Sequence, residues 1–152
     1  MSGLFYMGVQ MSFEEKKAWA YAAIAVIGYS VYLAMVFTAG SFRPLTEVDY
    51  APLMLATIGG AIVAGILTGI AIAVAAPKNE RQADQRDREI ERLGEHVGQA
   101  FIVLGGVGAL VLAMLQSEYF WIANLLYLGF VLSAVVGSAA RLAAYRRGMP
   151  TP

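Results

Sequence analysis

Residues 84–115 read DQRDREIERLGEHVGQAFIVLGGVGALVLAML. The first sixteen positions hold eight charged side chains and the next sixteen hold none. A boundary this sharp is the pattern of a helix that leaves water and enters hydrocarbon. Read at 3.6 residues per turn, Ile90, Leu93 and Val97 share a face that continues into Ala100, Phe101 and Leu104. The charged segment is therefore expected to be the water-side extension of an apolar helix rather than a loose loop.

The same logic extends outward to the whole chain. No Lys, Arg, Asp or Glu occurs in residues 18–42, 50–77, 96–117 or 119–140. Each gap exceeds the roughly 20 apolar residues that carry an α-helix across a bilayer core. The 152-residue chain is 59% hydrophobic and only 14% charged, against about 25% charged for an ordinary soluble domain. The sequence thus predicts an all-α integral membrane four-helix bundle in a single domain. Its spans are placed at about 18–39, 52–76, 96–116 and 119–141, with residues 78–95 as a polar segment between the second and third.

Helix boundaries have local causes. Ser12-Phe13-Glu14-Glu15 has capping-box spacing, which starts the first helix near Phe13. The loop GSFRPLTEVDYAP holds two prolines, and Asp49 is placed to cap the second helix, within whose first turn Pro52 is tolerated. Gln116-Ser117-Glu118 is a short turn that makes the third and fourth helices antiparallel neighbours, and Gly148 and Pro150 supply the final stop. The leading MSGLFYMGVQM lacks the basic start and cleavage pattern of a secretory signal, and Met11 is a second candidate start.

Orientation follows from the distribution of basic residues. With both termini in the cytoplasm, ten of the eleven lie inside: Lys16, Lys17, Lys78, Arg81, Arg86, Arg88, Arg92, Arg141, Arg146 and Arg147. Arg43 alone faces out. The expected location is the bacterial cytoplasmic membrane, with the lipid bilayer as the first partner. The formal net charge of zero gives no reason to expect a nucleic-acid partner.

Small residues recur at four-residue spacing: Ala61, Gly65, Gly69 and Ala73; Gly105, Ala109 and Ala113; and Gly129, Ser133 and Gly137. In lipid, where tails are as apolar as Leu, helices associate through close backbone approach. Gly65, Gly69, Gly129, Ser133 and Gly137 are accordingly the candidate packing residues, either within one bundle or across a homo-oligomer interface. Gly94 and Gly98 mark where the charged helix meets the membrane and a bend is allowed.

Candidate chemistry is sparse. Transporters and channels declare themselves by ionisable groups at membrane depth, and small four-helix multidrug exporters carry a glutamate in their first helix. Here that helix offers Tyr29, Ser30 and Tyr32. Gln99 and Asn124 are the candidate polar lining of any path. Thr57, Thr68 and Ser133 are expected to bond back to their own helix. The absence of cysteine excludes disulfides and thiol chemistry. His96 is read as an interfacial residue, and Asp87, Glu91 and Glu95, flanked by arginines, as a salt-bridged face. No catalytic, cofactor or metal site is expected, and the chain is read as non-enzymatic.

Within the charged segment, Asp84 with Arg88 stands at i, i+4, and Glu89 with Arg92 and Arg88 with Glu91 stand at i, i+3. Such pairs contribute about 0.2–0.5 kcal/mol each and stiffen a water-facing rod. Asp84, Arg86, Asp87, Arg88 and Arg92 are the candidate contact residues for a partner. The run Asp84-Gln85-Arg86-Asp87-Arg88-Glu89-Ile90 resembles the D-E-R-D-x-x-I signature of an uncharacterised family of small bacterial and archaeal multi-pass membrane proteins, with Gln85 in place of the usual Glu. MSFEEKKAWAY and FWIANLLYLGFVLSAV look like its actinobacterial branch. Members of that family are often encoded beside small helix-turn-helix regulators, so the resemblance implies a cytosolic regulatory partner. The expected function is a self-associating interaction or regulatory membrane protein; the alternative is a small oligomeric transporter or channel.

Overall fold

The computed structural model describes residues 13–75 and 85–147. They form four helices: α1 (Phe13–Ala39), α2 (Tyr50–Ala75), α3 (Gln85–Met114) and α4 (Tyr119–Arg147). Two 3-10 turns, Gly40–Phe42 and Leu45–Glu47, connect α1 to α2, and no strand occurs among the described residues. All four helices are long and apolar enough to cross a bilayer. α1 is helical from Phe13, the first described residue, and the capping-box residue Ser12 lies outside the described residues. α2 begins directly after Asp49, and Pro52 sits in its first turn, where the missing N–H has no intrahelical partner to lose.

The helices do not close into a ring. α1 packs against both α2 and α4, and α3 packs along α4, whereas α2 and α3 share no extensive contact. The spatial order is therefore α2–α1–α4–α3. This opens the bundle expected from sequence, and the reason is visible in the glycines: those of α3 that meet another helix all meet α4.

The α3–α4 seam is built from backbone-to-backbone approach. A Cβ on Gly105 would stand 3.1 Å from the Gly129 Cα, one on Gly98 would stand 2.9 Å from the Ser133 carbonyl oxygen, and one on Gly137 would stand 2.9 Å from the Gly94 carbonyl oxygen. Three levels of an antiparallel pair are locked in this way. α3 runs unbroken from Gln85 to Met114 through Gly94 and Gly98, and both glycines are buried against α4. Their small size serves contact, not flexibility.

α3 ends in a Schellman turn. Ser117 N–H donates to the Leu112 carbonyl and Gln116 N–H to the Ala113 carbonyl, both at 3.0 Å, with Gln116 at φ 57°. This is the left-handed position that favours glycine. At the same end, the α1–α2 connection folds back on the helices: Val48 is buried and Leu45 joins a core of Tyr32, Val36, Phe120 and Tyr127. Gly40 lies under this connection, where a Cβ would stand 2.6 Å from Leu45 Cδ2 and the Leu45 side chain would have to shift. The opposite end gathers the start of α1, the start of α3 and the end of α4, and carries most of the charge.

Candidate functional site

Two polar constellations stand out among the described residues, one at each end. Toward the loop end, tyrosines from α1 and α4 form an aromatic knot. Tyr29 and Tyr32 meet Tyr127 edge-on at centroid distances of 5.2 and 4.9 Å. Their hydroxyls face apolar surroundings and need acceptors. Tyr32 Oη donates to Asn124 Oδ1 at 2.5 Å, and Asn124 Nδ2 donates to the Phe120 carbonyl at 2.7 Å. Tyr127 Oη donates to Thr57 Oγ1 at 3.1 Å, and Thr57 Oγ1 donates back to the Leu53 carbonyl at 3.0 Å. Asn124 thus ties α4 to α1, and Thr57 ties α4 to α2. Asn124, Thr57 and the Tyr32 and Tyr127 hydroxyls are each taken up by another helix or by their own backbone, which makes these contacts a structural clamp.

At the charged end, α3 and α4 stay interlocked beyond their apolar stretches. Ile90 is completely buried and Ala144 nearly so. Tyr145 Oη donates to Asp87 at 2.7 Å, Arg86 Nη2 donates to the Tyr145 carbonyl at 3.3 Å, and Arg141 Nη2 meets Glu91 at 3.1 Å. The stiff rod read from sequence is half of a helical hairpin. Glu91 pairs across to Arg141 rather than with Arg88 one turn earlier, because Arg141 is largely desolvated and the attraction is less screened there. α1 joins through Glu15 to Arg146 at 3.7 Å, and Arg146 also lies over the Trp19 ring at 5.6 Å.

The sequence-selected residues separate accordingly. Arg88 and Arg92 are exposed on the face of α3 turned away from α4, whereas Asp87 and Arg86 are engaged with Tyr145. Asp84 lies outside the described residues, as do Lys78 and Arg81. Arg88, Arg92 and Glu95 border a shallow cavity of about 300 Å³ together with Glu14, Asp87 and Glu91. Gly129, Ser133 and Gly137 face α3, while Gly65 and Gly69 lie against Tyr21 of α1. Gln99 and Asn124 are not brought together. Gln99 is exposed at the level of Ser133, about nine residues and so about 13 Å along α4 from Asn124. His96 is exposed, and no group of three or more metal-ligating side chains occurs among the described residues.

Among the partners that sequence reasoning missed are Tyr32 for Asn124, Tyr145 for Asp87 and Arg141 for Glu91. All three are cross-helix pairs, for which spacing within one helix carries no signal. No family model, no curated protein and no solved structure matches the chain.

Proposed function

We propose that the chain is a non-enzymatic, multi-pass protein of the bacterial cytoplasmic membrane, with its charged end in the cytoplasm, and that it acts by binding a cytosolic regulatory protein. Bilayer placement is supported by the exterior: Ile62, Ile66, Leu67 and Ile70 of α2 are each more than half exposed, and so are Val103, Leu104 and Leu110 of α3. Apolar surface on this scale is costly in water and favourable in lipid.

The observation that carries the docking reading is the state of Arg88 and Arg92. They stand exposed on a segment whose opposite face is anchored to α4 by Ile90, Gly94 and the Glu91–Arg141 pair. A charged surface held rigid in this way loses little conformational entropy when a partner binds. A photo-crosslinking residue at position 95, exposed beside Arg88 and Arg92, is expected to capture one discrete cytosolic protein, and the same residue at Ile66 is not. Arg88→Gln with Arg92→Gln should abolish that capture without affecting membrane insertion. Identical capture from positions 66 and 95, or capture that survives the double substitution, would sink the reading.

Self-association belongs to the same proposal. Gly65, Gly69, Gly129, Ser133 and Gly137 are occupied within the chain, so a second copy would meet the open faces at Gly59, Gly60 and Gly106. The transporter or channel alternative draws less support, since Asn124 is committed to Tyr32 and the Phe120 carbonyl.

A further inference from the structure

Between the α1–α2 connection and the α3–α4 turn lies a cavity of about 630 Å³. Its wall draws on segments that only the fold brings together. Thr46 comes from the connection, Tyr50 from the start of α2, Ser117 and Glu118 from the turn, and Tyr119 and Phe120 from the start of α4. The volume falls within the range of small-molecule sites, about 300–1,000 Å³. Glu118 is the one charged side chain in the lining, to which no Lys, Arg or His contributes. Among the described residues its carboxylate has no ion pair and no hydrogen bond.

Much of the remaining wall is aromatic. The Tyr50 and Phe120 rings stand at 83° to each other with centroids 5.5 Å apart, which makes a right-angled corner. Phe120 is buried and fixes that corner, whereas Tyr119 is 82% exposed at the rim, where its ring has room to turn toward an occupant.

Charge and rings together select the ligand. A carboxylate without a counterion, in a lining that holds no cation, attracts positive charge and repels carboxylates and phosphates. A metal ion needs several oxygen ligands held close, and no group of three or more metal-ligating side chains occurs among the described residues. An organic cation, by contrast, is attracted to tyrosine and phenylalanine faces by the ring quadrupole, the interaction that recognises quaternary ammonium groups. We therefore propose that this cavity binds a quaternary ammonium cation, with its charge against Glu118 and its methyl groups against Tyr50, Phe120 and Tyr119. The site stands apart from the docking surface at Arg88 and Arg92, which lies at the opposite end of the helices.

The test titrates the full chain in maltoside micelles calorimetrically with choline and, separately, with its uncharged isostere, in which carbon replaces nitrogen. Choline is expected to bind with a dissociation constant on the order of 1 mM, and the isostere about tenfold more weakly. Glu118→Gln is expected to weaken choline binding about fivefold and Tyr119→Ala about threefold. Both side chains are exposed, so helical content should not change. Three outcomes overturn the proposal: no binding up to about 50 mM choline, equal binding of the isostere, or undiminished binding by Glu118→Gln. Nanodiscs separate the two sources of the cation. Choline binding in phosphatidylglycerol discs that phosphatidylcholine abolishes assigns the cavity to a lipid head, and equal binding in both assigns it to a free solute.

Discussion

At the scale of single residues, glycine divides into two kinds that the sequence does not distinguish. Gly105 meets the Gly129 backbone, so a methyl group there has nowhere to go without separating α3 from α4. Gly60 has no atom within 4 Å of the position a Cβ would take. Gly105→Ala is therefore expected to lower stability by about 1–3 kcal/mol, the range for overpacking. Gly60→Ala should raise it by about 0.5–1 kcal/mol, through the helix preference of Ala. Circular-dichroism melts in detergent measure both, and equal shifts from the two substitutions would contradict the seam. The four-residue ladders were legible as packing devices. Which ladder meets which was not, because small size permits close approach without naming a partner.

At the scale of elements, the α3–α4 hairpin is the most tightly specified part of the molecule. Its turn places Gln116 in the left-handed region, where a side chain carries a penalty and glycine none. Gln116→Gly is expected to stabilise the hairpin by up to about 1 kcal/mol, seen as a higher melting temperature with unchanged helical content. A lower melting temperature would mean that the Gln116 side chain has a role the turn geometry does not require. The charged half of α3 was legible as a helix from its periodicity, with Ile90 correctly on the apolar face. Its attachment was not legible. Local i, i+3 and i, i+4 pairing predicted a stiff, water-facing rod, and Glu91 and Asp87 prove to be engaged with Arg141 and Tyr145 of α4. A cross-helix partner in a drier setting competes successfully with an exposed neighbour on the same helix.

For the whole molecule, an open order α2–α1–α4–α3 leaves α2 with extensive packing on one neighbour only, and its apolar residues outward. Such an arrangement is suited to lipid, which would supply the missing contacts in the proposed bilayer placement. The orientation proposed from ten basic residues against Arg43 is testable directly. A fluorescent protein fused after the C-terminal end of α4 should mature in the cytoplasm, and alkaline phosphatase inserted at Pro44 should be active. Activity of the phosphatase at the C-terminal fusion, with none at Pro44, would invert the proposed topology.

The sequence by itself determined the helical class and four apolar stretches long enough to cross a bilayer. These depend on chain-local quantities: hydropathy, charge segregation and turn residues. Only the tertiary structure decided the order of the helices, the pairing of glycines across the α3–α4 seam and the tyrosine–asparagine clamp. Each of these depends on two segments distant in sequence meeting at a particular rotation and height, and periodicity within one helix leaves both quantities open.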